Sequence, residues 1–263
     1  MKTIFITAGL GNEKFHLASK RLISQISRLE FFDTTVCVDE EMLRKVFPSL
    51  FETYSDDELF YSKGFGYYSW QSILVNSAVE GYWGEFDLVL YMDAGCEVLP
   101  GRRTKRIFKD LSQKALDTGC AAFAIKTPEL QYSKSVVVQL FPELPLFKLE
   151  NQIQTGTLFV STNENGRSLA REWSQMVMSD PKLTNDLLEA ERDDFVAHRH
   201  AQSIFSLLFK TKGFVEESIL IPYPRQSFVS KLRAARYPIW WARNTSDKTS
   251  VPLIVRILSR VLF

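Results

Sequence analysis

LVLYMDAGCEV, residues 88–98, is the stretch on which the fold turns. Residues 86–92 read as a strand, and the unbroken apolar run from Leu88 to Met92 suggests burial on both faces. The run ends at one carboxylate, Asp93, and Ala94, Gly95, Cys96 and Glu97 follow. A carboxylate at the end of a buried central strand is held rigidly, and Gly95 lets backbone or ligand approach closely. Such an acid suits an oxygen-bound divalent cation bridging to a diphosphate. The same residue also suits a plain turn cap. The stretch alone leaves both readings open.

The neighbouring segments supply a frame. TIFITA, 3–8, reads as a buried strand ending at Gly9, and TTVCV, 34–38, as a second. Asn12 caps a helix to about Leu29 with Phe15, Leu22, Ile26 and Leu29 on one face, and Asp39 caps the short helix DEEMLRKVF. Ser69 is expected to cap a helix to about Ala78 on which Trp70, Ile73, Leu74 and Ser77 share a face. A helix near 104–117, strands at 120–125 and 157–161, and helices near 166–178 and 200–210 complete the pattern, with Gly213 closing the last. Strands alternating with helices predict an α/β fold with a mostly parallel sheet flanked by helices. Ligands of such sheets bind beyond the carboxyl ends of the strands, where Asp93, Thr7, Ala8 and Gly9 all lie.

The chain has 263 residues, 45% hydrophobic, with a formal net charge of +1. That length suits one sizeable domain, or one domain with a tail. The charge is unevenly placed. Residues 225–263 carry eight Lys or Arg against Asp247 alone, a net of +7, leaving the first 224 residues at −6. A boundary is expected near Pro222–Pro224, dividing a domain at 1–224 from a basic extension at 225–263. Three widely spaced cysteines, Cys37, Cys96 and Cys120, make no disulfide framework and no zinc site. No signal peptide and no stretch of about 18 apolar residues is evident, so a cytoplasmic location is the default expectation.

Several groups are candidates for chemistry. In KGFGYYSW, 63–70, Lys63 suits a phosphate and Tyr67, Tyr68 or Trp70 a stacked base, although Trp70 is favoured as a core anchor. His198 and His200 do not share a helix face, so they make no two-histidine clamp, while one of them at a helix start is able to ligate. Arg199 is a candidate diphosphate contact. EAERDD, 189–194, offers Glu191, Asp193 and Asp194 as bases, with a solvated charge run as the plainer reading. No phosphate-binding Gly-x-x-x-x-Gly-Lys loop and no Ser/His/Asp order stands out, which disfavours P-loop kinases and hydrolases. In the tail, Ile254, Ile257, Leu258 and Val261 fall at helical spacing, and Trp240 and Trp241 are of the type found at membrane interfaces. The thirteen residues VPLIVRILSRVLF, 251–263, cannot span a bilayer, but a basic amphipathic helix lies well on an anionic one. A helix docked on the domain, or an oligomer contact, is the alternative. The acidic body argues against nucleic acid as a partner.

GFGYYSWQ at 64–71, a short helix and then LVLYMDAGCE resemble the core of bacterial GT-A-fold glycosyltransferases that build capsule or lipopolysaccharide chains. FITAG, NQIQTGTLFV (151–160) and HRHAQSIFSLLFK (198–210) fit the same pattern, and the resemblance covers roughly residues 3–215. It implies a GT-A-like sheet, a nucleotide-sugar donor (a UDP-sugar foremost) and a Mn2+ or Mg2+ ion. The acceptor it implies is a polysaccharide or lipid-linked glycan, reached from the inner face of the membrane. Asp93 matches the first acid of an Asp-x-Asp element and is the implied catalytic and metal residue. Thr7, Ala8 and Gly9 match the loop against the base. Gln154, Thr155 and Gly156 match an element near the donor sugar, and Gln202 matches an amide near the reacting face. Lys63, Gly66, Tyr67 and His200 join the implied donor site.

Three departures stand out. Gly95 replaces the usual second, metal-binding acid, with Glu97 as its one possible stand-in. Gln71 replaces a lysine, and Ala201 replaces an aspartate. They leave a catalytically impaired nucleotide-sugar-binding scaffold as the alternative to an enzyme, with a nucleotidyltransferase behind it. An amide at Gln202, where a carboxylate base is otherwise expected, leans the implied reaction towards retention.

Overall fold

The computed structural model describes residues 1–55, 60–61, 63–187, 191–217 and 238–261. Five strands form the main sheet in the order β2-β1-β3-β6-β5: β1 Thr3–Ala8, β2 Thr34–Val38, β3 Leu88–Met92, β5 Cys120–Ile125 and β6 Gln152–Ser161. β1 pairs in parallel with β2 and with β3. β6 runs antiparallel to both of its neighbours, β3 and β5, so four of the five strands point one way. The α/β, mostly parallel expectation is met, with β6 as the reversed strand. The reversal matters because the start of β6, not its end, lies at the carboxyl end of β3. The sequence reading began this strand at residue 157, whereas pairing starts at Gln152, within a polar stretch that carries no apolar signal.

Helices cover both faces. α1 (Glu13–Ser27) begins where the Asn12 side chain accepts from Lys14 N, and α2 (Glu40–Val46) where Asp39 accepts from Met42 N. Pro48 opens α3 (Pro48–Thr53), and Gly64–Tyr67 forms the short turn α4. α5 (Ser69–Val79) has no side-chain cap. It starts from Tyr68 in the left-handed region, not from a capping serine, and it is buried on almost every side. α6 (Arg102–Thr118), the short α7 (Glu129–Tyr132) and α8 (Ser135–Val138), α9 (Glu164–Ser179) and α10 (Ala201–Thr211) follow. Phe15, expected on the buried face of α1, is exposed, while Leu22, Ile26 and Leu29 are buried.

β3 is fully buried over all five residues, as its apolar run requires. Ile4, Ile6, Val89 and Tyr91 pack with α5, α9 and α10 in one core, while Phe5, Leu88, Leu90 and Met92 pack with α1 and α6 in another. The C-terminal segment adds a two-residue strand, β7 (Ile239–Trp240), paired antiparallel with β4 (Glu97–Val98), and a terminal helix, Leu253–Val261. Trp240 and Trp241 are buried, at 0% and 7% exposure. Their assignment to a membrane interface is therefore corrected: they are core residues, Trp241 against Phe123 and Thr157. The expected boundary at Pro222–Pro224 and residues 225–237 lie outside the described residues.

Candidate functional site

Asp93 sits at the end of β3, where the chain turns. Its backbone N–H donates to Gly156 O at 3.0 Å, and Cys96 N–H donates back to Asp93 O at 2.9 Å. Its side chain lies on the α5 side of the sheet. There Tyr91 Oη donates to Oδ1 at 2.6 Å and Gln71 Nε2 donates to the same oxygen at 2.9 Å. Burial pushes the Asp93 carboxyl above the usual range, against those two hydrogen bonds. The other oxygen, Oδ2, lies over Gly156: a side-chain carbon there would come within 2.8 Å of it and within 2.8 Å of Gln154 Oε1. Gly156 is thus a glycine because the carboxylate occupies the space of its side chain.

The reversed start of β6 brings the amides in. Thr155 Oγ1 donates to Gln71 Oε1 at 3.0 Å, and Thr155 N–H donates to Gln202 Oε1 at 3.4 Å. Gln202 Nε2 donates to Gln152 Oε1 at 2.8 Å, and Gln152 Nε2 donates to Glu129 Oε1 at 3.0 Å. Glu129 in turn forms a buried ion pair with Lys210 of α10. A continuous hydrogen-bonded row therefore runs from Asp93 through Gln71, Thr155 and Gln202 to the buried Glu129–Lys210 pair. Gln154 Oε1 accepts from Gly156 N–H at 2.9 Å, but its buried Nε2 has no hydrogen-bond partner. Thr7 Oγ1 is buried and also unpartnered. A buried donor without an acceptor is costly and calls for a ligand or water.

A second group flanks the first. Lys63 Nζ lies 3.0 Å from Asp186 Oδ2, and His200 Nε2 lies 3.8 Å from Asp186 Oδ1. The His200 ring packs against Tyr67 and Tyr68, with ring centres 5.3 and 5.9 Å apart. Phe65, Tyr67, Tyr68 and His200 all hold positive φ, between 52° and 62°. Non-glycine residues in that region store strain and cluster at functional sites. Tyr68 remains 45% exposed. Burial raises its hydroxyl pKa, Asp93 adds to this, and Arg243 and Lys63 oppose it. Asp93 and Lys63 thus both act on the Tyr68 hydroxyl, which ties the two groups together electrostatically.

The other candidates have contacts of their own. Gly66 is packed under the Phe60 ring, and Tyr67 is buried at 2% exposure. Strand alternation puts the Thr7 side chain on the face of Phe5, opposite that of Asp93. Gly9 N–H is taken by Val38 O, and its Cα lies against Ser19 and Phe15 of α1. Trp70 is buried and donates to Gly64 O, in keeping with a core anchor. Arg199 packs over the Tyr132 ring at 4.8 Å. Glu191 accepts from Ser135 N–H and Oγ, a structural tie rather than a poised base. Ala201 is fully buried and its carbonyl accepts from Trp173 Nε1. Arg21, Tyr91, Asp186 and Arg243 were not singled out from the sequence. Each is remote in the chain from its partner or carries no motif.

A divalent cation does not fit this donor set. Among the described residues no group of three His, Cys, Asp or Glu side chains assembles. The Asp93 Oδ1 atom already takes two hydrogen bonds, and the amide oxygens of Gln71, Gln154 and Gln202 each accept one. Glu97, the expected stand-in ligand, is fully buried, and its carboxylate accepts from Asn244 Nδ2 at 2.8 Å, from Ser250 N–H at 2.9 Å and from Thr249. The turn does not bring it to Asp93.

No protein-family model matches the chain, and no curated protein matches it. Solved structures similar to it include the apo form of mouse xyloside xylosyltransferase 1, at 10% identity and TM-score 0.49, over 96% of this chain and 100% of that one. A glycosyltransferase involved in the glycosylation of the major capsid of PBCV-1 is similar at 13% identity and TM-score 0.49, over 91% and 93%. The apo form of the glycosyltransferase GlyE from Streptococcus pneumoniae TIGR4 is similar at 10% identity and TM-score 0.42, over 84% of this chain and 46% of that one.

Proposed function

We propose that the crevice around Asp93 binds a nucleoside-diphosphate sugar and transfers the sugar to a hydroxyl acceptor. The observation that carries this reading is the Gln154 amide. Its buried Nε2 has no partner among the described residues, while Asp93 and Gly156 beside it are held in a row of hydrogen bonds. A sugar hydroxyl supplies the missing acceptor. Asp93 accepts from ribose or sugar hydroxyls through Oδ2, since Oδ1 is already engaged. Tyr68, exposed at the rim, offers a stacking face, and Lys63 a cation for the phosphates. In the transfer, the acceptor oxygen forms a bond to the anomeric carbon. The bond from that carbon to the diphosphate oxygen breaks with its electron pair, and the acceptor proton leaves with the diphosphate. Charge builds on the leaving group and needs fixed positive partners. The sequence resemblance supports a UDP-sugar donor and a bacterial surface polysaccharide or lipid-linked glycan as acceptor.

Thermal unfolding with a panel of nucleotide sugars, on wild type and Asp93→Ala, tests this. One donor should stabilise the wild type and leave the variant unaffected; no stabilisation by any donor would sink the reading. Slow release of free sugar from the bound donor separates an enzyme from a binding scaffold.

A second reading concerns the terminal helix. Leu253, Ile254 and Ile257 are 63%, 43% and 44% exposed on one helix of the basic segment. No helix among the described residues is long and apolar enough to cross a membrane. An exposed apolar stripe beside basic residues supports a helix lying on an anionic bilayer, where a lipid-linked acceptor would be met. Serine at all three positions should abolish sedimentation with phosphatidylglycerol vesicles; unchanged sedimentation refutes it. Deleting the whole tail is the poorer test, because it also removes Trp240 and Trp241 from the core.

A further inference from the structure

The turn after Asp93 is covered by the C-terminal segment, and a cation stands at the cover. A side-chain carbon on Gly95 would lie 3.2 Å from the Cα of Arg243 and 3.7 Å from the Asn244 nitrogen. Asn244 N–H donates to Gly95 O at 3.1 Å. The Arg243 backbone therefore crowds the side-chain space of Gly95, the position where the sequence resemblance expects a second acid.

The placement is enforced by the residues around it. Arg21 straddles the turn and the segment. Its Nη1 donates to Asn244 O and Ser246 O, at 2.9 and 2.6 Å, and its Nη2 to Ala94 O and Cys96 O, at 2.8 and 2.9 Å. Glu97 holds Asn244 and Ser250, and Trp240 and Trp241 are buried just before. Between these anchors Arg243 is exposed and sits at φ 49°. A non-glycine residue in the left-handed region, on a segment fixed at both ends, is the kind of strain that clusters at functional sites. Tyr68, at the crevice rim, is within electrostatic reach of Asp93, Arg243 and Lys63.

We propose that Arg243 binds the diphosphate at this site together with Lys63, and that binding of the diphosphate needs no divalent metal. The inference rests on the reading of the crevice as a nucleoside-diphosphate-sugar site. A guanidinium pairs with phosphate oxygens in a bidentate fork and stays charged throughout, which is the service a metal gives a departing diphosphate. It also explains the departures along this turn. With Arg243 beside Gly95 a second acid would neutralise the cation, and with Glu97 spent on fixing the segment no metal is held.

Calorimetric titration of the full chain with UDP, GDP and ADP and their monophosphates, each with Mn2+ and with EDTA, tests it. Arg243→Gly is the first variant, because glycine adopts φ 49° without strain and keeps the fold; Arg243→Lys is the second. One nucleoside diphosphate should bind equally in both media. Arg243→Gly should weaken that diphosphate by about tenfold or more, with a smaller effect on its monophosphate. Arg243→Lys should recover part of the loss. Binding lost in EDTA, or unchanged in Arg243→Gly, would overturn the assignment of Arg243 and leave the donor site standing. If no nucleoside diphosphate binds the wild type in either medium, the donor site itself is wrong and the assignment falls with it.

Discussion

Gln71 Nε2 and Asp93 Oδ1, 22 residues apart in the chain, are 2.9 Å apart in space, and Tyr91 Oη shares the same acceptor. Two donors to one oxygen keep the acid aimed while burial pushes its carboxyl above the ordinary range. For an acid raised in this way, the stability it contributes is present below the unfolded value of 3.8 and is lost as pH rises through the folded value. At neutral pH the ionised Asp93 therefore weakens the fold. Asp93→Asn should raise Tm at pH 7, gain little near pH 3, and lose the stabilisation by nucleotide sugar. A lower Tm at pH 7 would show that the carboxylate is structural.

Gly156 carries the same geometry from the other side. Ala at this position would place its Cβ within 2.8 Å of both Asp93 Oδ2 and Gln154 Oε1. Neither is the loose end of a flexible surface chain, since both side chains are hydrogen-bonded in the site. Gly156→Ala should cost about 1–3 kcal/mol in chemical denaturation and abolish donor binding. Full donor affinity in this variant would separate Asp93 from the donor.

The strand β3 was legible because an unbroken apolar run marks burial on both faces, while the same stretch left the acid at its end open between a turn cap and a site residue. The caps Asn12 and Asp39 were legible for a similar local reason. What stayed hidden is non-local. Nothing in QIQT says that β6 runs backwards, yet that direction brings Thr155 and Gly156 to Asp93. Tyr68 was a candidate stacking ring, but nothing in the sequence marked its left-handed backbone. Trp240 and Trp241 looked like interface residues because burial under a docked segment leaves no periodic signal in two adjacent tryptophans. Arg243 is one of eight basic residues in the tail, and only its contact with Gly95 distinguishes it.

Glu97 is the peg of that docked segment. Burial pushes its carboxyl up, but hydrogen bonds from Ser250, Thr249 and Asn244 outweigh it and hold the acid below its ordinary range. Its contribution is therefore present above the unfolded value of 4.5 and lost as pH falls through the folded value. Glu97→Ala leaves those donors and the nearby Arg21 guanidinium without their acid, at a cost of about 3 kcal/mol. Hydrogen exchange should rise over 238–251 in the variant, and over the same residues in the wild type below pH 4.5. Protection that stays unchanged in Glu97→Ala would mean that Arg21 and the tryptophans anchor the segment without it.

His198 sets the acid limit on the opposite flank. It is buried, and its Nε2 lies 2.8 Å from Leu183 O while Nδ1 lies 3.4 Å from Lys134 N. Lys134 N–H donates to Nδ1, so the neutral ring carries its proton on Nε2 and donates it to Leu183 O. Burial pulls its pKa down to about 3, and neighbouring His200 adds to the shift. Between the ordinary value of 6.5 and about 3 the unfolded chain takes up a proton that the folded chain refuses, so stability falls as pH drops through that window. His198→Gln keeps a donor for Leu183 O and has nothing to titrate. Its Tm should fall less between pH 7 and pH 5 than that of the wild type, even though His200, also lowered by burial, remains in both. The segment at stake, 183–186, carries the Asp186 that pairs with Lys63, so donor affinity should follow the same difference. Parallel Tm profiles for the two proteins would place the acid sensitivity elsewhere.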